Sequence, residues 1–370
     1  MRNKTSRRDF IGTTIKTGIG LSLLSTGLLG CSKPRLNILI LGGTSFLGIH
    51  QVAFALERGH KVSIFTRGKT IPSLHKDLFK KVEHLIGDRK DNLKSLENRQ
   101  WDVVIDNSGR EVGWTEKSAK LLKDSCSYYL YTSSTGVYYP YLGENIKEDT
   151  KLLHKMPEVF NDEWEKLEYG YGIMKANSEL AALKYFGKDR TIIVRPTYMF
   201  GPADKTNRFI HWPIKLSQGG EVLVPGKKDD PVQYIDVRDV ASWMIRLCEE
   251  KRTGTFNAVG PKEQQSISEF AHEAAKAFDV KHKFIQVDDY DFLISKDIYG
   301  IVPWIMPIGN NFGSARINNS KGLRNGLNIR PLEESMKDTY QWWMSDSVSQ
   351  SQRDQVRTDY QEVLNEWKSR

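Results

Sequence analysis

Along the chain, short apolar runs alternate with helix-length amphipathic stretches. Runs at residues 37–41, 61–66, 82–86, 102–106, 128–132 and 191–194 predict strands, because each is short, rich in β-branched or aromatic residues and bounded by turn formers. Between them, residues 46–58, 115–123 and 171–186 space their apolar positions for helices. Strand and helix in alternation predict an α/β architecture, a doubly wound parallel sheet. From about Gly201 the text changes: Gly219-Gly220, Pro225-Gly226, residues 227–230 and the surroundings of Trp304 mark loops between shorter elements. The expected layout is therefore a first domain over 36–200 and a smaller C-terminal substrate domain, mainly 201–345. Residues 255–259 return to the main sheet as an additional strand. In the tail, 346–370, the spacing of Val356, Tyr360, Leu364 and Trp367 predicts a helix docked on the body.

Composition adds bounds. With 370 residues, 39% hydrophobic and 27% charged, the chain can bury a sizeable core, and wholesale disorder is excluded. Residues 1–31 stand apart. Arg2, Lys4, Arg7 and Arg8 precede a mildly apolar run from Ile11 to Gly30 that ends at Cys31, the order of regions in an export signal. Ser6-Arg7-Arg8-Asp9-Phe10-Ile11 resembles a twin-arginine signal, and Leu28-Leu29-Gly30-Cys31 resembles a lipobox whose cysteine becomes acylated. A basic N-terminus followed by an anchor helix is the alternative, and either reading puts the globular part outside the cytoplasm, exported and held at a membrane through Cys31 in the first case. The formal charge of +8 is partly this segment's: residues 1–30 hold five basic residues against Asp9, so the remainder carries only +4. That removes the charge argument for a nucleic-acid partner. Cys126, before a predicted strand, and Cys248, in a predicted helix, read as packing residues, and no His/Cys cluster has metal-ligand spacing, so no metal site is expected.

Three segments carry chemistry. Gly42-Gly43-Thr44-Ser45-Phe46-Leu47-Gly48 follows the first strand and opens the first helix, where glycines admit a pyrophosphate and free N–H groups hold its charge. Tyr171-Gly172-Ile173-Met174-Lys175 sets a tyrosine and a lysine four apart on one helix face, where a cation is expected to lower the phenol pKa. Thr132-Ser133-Ser134-Thr135-Gly136-Val137-Tyr138 ends the fifth strand upstream.

Together these stretches resemble the extended and atypical short-chain dehydrogenase/reductase superfamily, in its NAD-dependent epimerase/dehydratase branch. Arg195-Pro196, Phe200-Gly201-Pro202, the run Tyr234 to Ala241, and Asn318 to Trp343 look like later landmarks of the same group, which extends the resemblance over most of 36–343. The resemblance implies a Rossmann domain binding NAD(P), with Gly42, Thr44, Ser45, Phe46, Leu47 and Gly48 at the pyrophosphate turn and Asp88 at the adenine. It also implies Ser134, Tyr171 and Lys175 as the catalytic set, Lys175 doubling as a ribose contact. Asp239 reads as a helix-start residue.

The departures matter for function. Ser45 stands at the middle glycine of the fingerprint. After the second strand Phe65-Thr66-Arg67-Gly68-Lys69 has no acid for ribose hydroxyls, and Arg67 with Lys69 suits a 2′-phosphate, a lean to NADP. Pro231-Val232-Gln233 stands where epimerases usually supply an arginine for a substrate diphosphate, and Thr135-Gly136 replaces the acid pair of 4,6-dehydratases. Between Tyr139 and Tyr169 lies a polar insertion with Glu144, Glu148, Asp149, Asp162, Glu163 and Trp164, readable as a lid or as a solvated loop. The expected activity is epimerase-like oxidoreduction of a sugar or polyol, probed against two alternatives: an NADP-dependent carbonyl reductase and a non-catalytic dinucleotide-binding scaffold.

Overall fold

A computed structural model describes residues 35–107 and 109–370; the export-signal motifs and Cys31 lie outside the described residues. Seven strands form one parallel sheet: β1 (Asn37–Leu41), β2 (Lys61–Thr66), β3 (Glu83–Ile86), β4 (Trp101–Asp106), β5 (Cys126–Thr132), β6 (Thr191–Pro196) and, later in the chain, β10 (Gly254–Ala258). Their spatial order is β3-β2-β1-β4-β5-β6-β10. The period-two alternation of the strands sorts the core. Ile38 and Ile40 of β1 and Val103 and Ile105 of β4 enter one hydrophobic layer with the helices Phe46–Glu57 and Val237–Glu249. Leu39, Leu41 and Val104 point the other way, into a layer with the helices Val112–Leu122 and Glu163–Phe186. With both faces covered, the sheet is the doubly wound one that the alternation predicted.

The strand order reverses between β1 and β4, which pair Leu41 with Asp106. In such sheets the crevice outside the carboxyl ends at the reversal is the ligand site. Here that edge carries the glycine turn after β1 and the Ser134 segment after β5.

A second hydrophobic cluster is built from β7 (Met199–Phe200), β8 (Gly220–Pro225), β9 (Pro231–Asp236), β11 (Gly260–Ser266) and β12 (His282–Val287), with the helices His211–Gln218, Ile267–Ala275 and Leu332–Met344. These strands pair as β11-β9-β7 and β12-β8.

The structure differs from the sequence reading in four places. The helix expected to begin at Tyr171 begins at Glu163, because Asp162 accepts a hydrogen bond from Glu165 N (2.7 Å) and caps it there. Helix Val237–Glu249 packs with the first sheet although it follows Gly201, next to β10, which pairs with β6 where an added strand was expected. Asp236, not Asp239, caps that helix; Asp239 instead accepts from Arg330 Nε (2.8 Å) and N (2.9 Å). The tail forms two short helices, Gln350–Arg353 and Gln361–Lys368, the second burying Leu364 beside Tyr360 in the second cluster. No helix among the described residues is long and apolar enough to cross a membrane.

Candidate active site

β1 delivers the chain to Gly42, whose φ of +88° is costly for any residue with a side chain. Gly42 N donates to Phe65 O (3.0 Å), pinning the turn against β2, and Gly48 N donates to Ser45 O (2.9 Å). A Cβ on Gly48 would stand 2.3 Å from Gly42 O, so glycine is what lets the helix start directly against the strand end. Ser45 gives no side-chain cap, and the first helical turn holds no acid. The other N–H groups of that turn are left for an anion. Thr44 and Leu47 are buried, Phe46 half-buried and Ser45 exposed at the rim. This cradle, uncapped and at the sheet's reversal, fits a dinucleotide pyrophosphate.

Beyond β2, Arg67 and Lys69 are exposed. The Asp88 carboxylate accepts from Lys90 N (2.9 Å) and closes a turn. Its neighbour Arg89, which the sequence did not single out, is buried and meets Asp106 at the end of β4 in a two-pronged ion pair (2.6 and 2.9 Å), with Tyr129 donating to the same carboxylate (2.6 Å).

Ser134 follows β5, and its Oγ accepts from Gly136 N (3.0 Å). The helix Glu163–Phe186 crosses this turn closely: a Cβ on Gly172 would lie 2.4 Å from Gly136 O, and one on Gly136 would lie 2.7 Å from the Tyr171 ring. Two glycines therefore bring the Tyr171 ring over the turn, beside the Ser134 side chain. The ring is 44% exposed and faces an open cleft. Burial around its hydroxyl pushes the pKa up, against the opposing pulls of the Ser134 side chain and Arg208, and with Glu168 adding to the rise.

Lys175 sits one turn deeper, 6% exposed, its Nζ donating to Thr132 O (3.0 Å) and lying 5.2 Å from the centroid of the Tyr131 ring. Burial brings its pKa down to about 8, against the pull of Asp106 and Glu179. This corrects the expectation that the ammonium lowers the phenol: it is turned to the strand-end carbonyl, and desolvation governs Tyr171. Beneath the set, Arg195 and Glu179 form a buried double-pronged pair (2.9 and 2.6 Å), Ser133 donates to Glu179 (2.5 Å), and Arg195 reaches Tyr138 Oη (2.8 Å). The structure thus brings Ser134, Tyr171 and Lys175 to one strand-end corner, two strands along the sheet edge from the glycine turn.

The cleft in front of Tyr171 encloses about 450 Å³. Its wall includes Tyr141, Trp164, Tyr198, Arg208, Trp304 and, one helical turn before Tyr171, Glu168. Burial pushes the Glu168 pKa up. Extending the helix upstream of Tyr171 would have revealed Glu168 at the i−3 position; the aromatic wall comes from four distant segments and leaves no local pattern. Of the polar insertion, Asp162 and Glu163 belong to the helix start, Trp164 reaches the cleft, and Glu148 accepts from Asn257 N (2.9 Å) at β10. Cys126 and Cys248 are buried, and burial pushes the Cys126 thiol up to about 12.

The model of the NAD dependent epimerase/dehydratase family matches residues 38–259. Among curated proteins, the chain is 30% identical over 242 residues to the chloroplast stem-loop binding protein of 41 kDa b of Arabidopsis thaliana, covering 61% of this chain and 59% of that one. It is 27% identical over 271 residues to a UDP-N-acetyl-alpha-D-glucosaminuronate decarboxylase of Bacillus cytotoxicus, 67% of this chain and 82% of that one. Among solved structures, its fold is similar to the UDP-N-acetylglucosamine 4-epimerase from Methanobrevibacter ruminantium in complex with UDP-N-acetylmuramic acid (TM-score 0.60, 17% identity, 84% and 98% of the two chains). The Bordetella bronchiseptica enzyme WbmH in complex with NAD+ is similar at the same TM-score of 0.60 (15% identity, 85% and 100%). With the family model spanning the glycine turn, Ser134, Tyr171, Lys175 and β10, the chain belongs to the NAD dependent epimerase/dehydratase family.

Proposed function

We propose that the chain catalyses a redox-neutral, epimerase-like reaction at a sugar or polyol hydroxyl, using a nicotinamide dinucleotide that stays bound. The observation that carries this reading is the meeting of Ser134 and Tyr171 over Gly136 in the wall of one cleft, with the Lys175 ammonium one helical turn behind them. The dinucleotide, held over Gly42–Gly48, supplies the acceptor and donor of reducing equivalents. The chain's own residues manage the proton. Tyr171 takes it from the substrate hydroxyl at its Oη and returns it, while Ser134 steadies the same substrate oxygen by a hydrogen bond. Because burial raises the Tyr171 pKa, the phenol rests protonated near neutral pH: it releases that proton to the open cleft before it takes the substrate's, and then serves as the acid toward the carbonyl.

Three finer points belong to the same reading. Arg67 and Lys69, exposed beyond β2 with no acid in their place, favour NADP. The Arg7-Arg8 and Leu28 to Cys31 motifs favour export through the twin-arginine route and acylation of Cys31. That route carries folded proteins with cofactors aboard, and an exported enzyme has no pool of reduced nicotinamide, which favours chemistry that consumes none. The alternative of a nucleic-acid-binding scaffold is raised by the stem-loop binding relative. It is disfavoured by the retention of Ser134, Tyr171 and Lys175.

The test is native mass spectrometry and absorbance on the full chain purified from membranes. The expected result is a retained NADP-sized ligand, a lipid mass on Cys31, and reduced-nicotinamide absorbance on exposure to a panel of sugars. Tyr171→Phe should hold the ligand and lose that signal by about 100-fold or more. A protein that holds no dinucleotide, or a Tyr171→Phe variant that reduces it as fast as the parent, overturns the reading.

A further inference from the structure

Resting on that reading, we infer that the cleft takes a carbohydrate unit carrying no diphosphate, stacked on aromatic rings and held by neutral hydrogen-bond donors. Charge is the first ground. Among the described residues lining the cleft, Arg208 is the one lysine or arginine and Glu168 the one carboxylate. Arg208 is partly engaged, its Nε donating to Thr206 Oγ1 (2.7 Å) and its guanidinium lying 5.2 Å from the Tyr198 ring centroid. A diphosphate wants several converging cations or N–H donors, and a lone guanidinium opposite a carboxylate does not supply them.

The backbone does not supply them either. Helix Ile267–Ala275 begins at the cleft wall, where Ile267 lines it, but its start is closed by a reciprocal cap. Ser266 Oγ accepts from Glu269 N (3.2 Å), and the Glu269 carboxylate accepts from Ser266 N (2.8 Å). That removes two of the N–H groups that make helix starts anion sites, and adds a negative charge. Gln233, also in the wall, is committed at both ends of its amide: Nε2 donates to Ile317 O (2.8 Å), and Oε1 accepts from Ile317 N (3.1 Å).

What the cleft leaves open is neutral. Its polar lining is otherwise hydroxyl-bearing, Ser134, Thr197 and Tyr171 among it, while the unpartnered Trp304 Nε1–H and Ser314 Oγ are buried atoms closed to solvent. Hydroxyl groups of this kind exchange hydrogen bonds with sugar hydroxyls without bringing charge. Tyr141, Trp164 and Tyr198 add flat apolar faces of the kind on which the C–H side of a pyranose ring packs, and Trp164 holds its ring 68% exposed. An aromatic surface with a few neutral donors recognises sugar rings, and its one exposed tryptophan provides the optical probe.

The experiment is titration of the full chain, dinucleotide bound, with cellotriose and chitotriose as neutral probes and UDP-N-acetylglucosamine as the diphosphate-bearing one, read by tryptophan fluorescence and calorimetry. Expected is saturable binding of a neutral probe at least about 10-fold tighter than the UDP-sugar, weakened about 10-fold by Trp164→Ala, a loss of about 1.4 kcal/mol. Tighter binding of UDP-N-acetylglucosamine, competed by UDP, overturns the inference, as does a failure of both neutral probes to bind at about 10 mM. Repeating the titration with Tyr171→Phe separates this result from the reaction: unchanged glycan binding beside absent chemistry sinks the catalytic reading alone. Turnover of the UDP-sugar would sink the substrate class alone.

Discussion

The floor of the site and the wall of its cleft handle polarity in opposite ways. Under the strand ends, charged groups are spent on one another: Arg195 on Glu179 and Tyr138, Arg89 on Asp106, with Ser133 and Tyr129 completing the carboxylates. In the wall, Trp304 and Ser314 keep donors without protein partners, and Glu168 and Tyr171 face open space. The difference separates two jobs. A floor of paired charges holds the positions of Ser134 and Lys175 at the cost of conveying nothing about the ligand, whereas wall groups that face open space can meet one.

The sharpest way to break that contrast is to unpair the floor. Glu179→Ala leaves the Arg195 guanidinium buried without its carboxylate and removes the acceptor of Ser133, and the expected cost is about 3–5 kcal/mol of unfolding free energy. The denaturant midpoint measures it. Glu168→Gln in the wall, where no ion pair is lost, should stay within about 0.5 kcal/mol of the parent. Equal losses in the two variants would erase the distinction between floor and wall.

That contrast also explains what the sequence could disclose. Strand positions such as Ile38 and Leu39 alternate between two hydrophobic layers, so local periodicity was enough to find the sheet. The glycine turn, Ser134, Tyr171 and Lys175 were legible because each is tied to a strand end or a helix face within a few residues. The wall was not. Tyr141, Trp164, Tyr198 and Trp304 come from segments far apart in the chain, and their meeting depends on how the second cluster packs, which no short window contains. The direction of the Lys175 ammonium escaped for a related reason: spacing places it on the face of Tyr171, but the carbonyl of Thr132, supplied by a different element, decides where it points.

Lys175 lies at the boundary between the two regions, and pH sharpens its assignment. Its pKa is about 8 in the folded chain against an ordinary value near 10.5. Between those values the unfolded chain binds a proton that the folded one does not, so this group makes stability rise with pH across that window. Below pH 8 both states are protonated and the burial cost is fully present; the gain on crossing the window is at most about 3 kcal/mol. The measurement is the difference in unfolding free energy between the parent and Lys175→Met from pH 7 to pH 10, before the raised tyrosines begin to oppose it. The difference should favour Lys175→Met most at low pH and move toward the parent as pH rises. A pH-independent difference would mean that the ammonium is solvated and belongs with the wall.

The smallest expected effect concerns the two wall groups on one helix face. Glu168 lies one turn before Tyr171, and its negative charge, once formed, works against the phenolate. Removing that charge with Glu168→Gln should therefore lower the Tyr171 pKa, whereas Glu163→Gln, two turns away at the helix start, should leave it where it is. Carbon-13 labelling of tyrosine, with Tyr171→Phe to assign the resonance, reads the titration directly and needs no substrate. Because the Glu168 carboxyl is itself held above its ordinary pKa by burial, the coupling grows only as pH rises through its own titration, so the phenol resonance should show a small early inflection there before its main step. An early inflection that survives Glu168→Gln would assign it to another group, and a Tyr171 titration indifferent to the substitution would mean that the cleft wall is screened by water as thoroughly as the outer surface, removing the ground for treating the two side chains as one proton-handling pair.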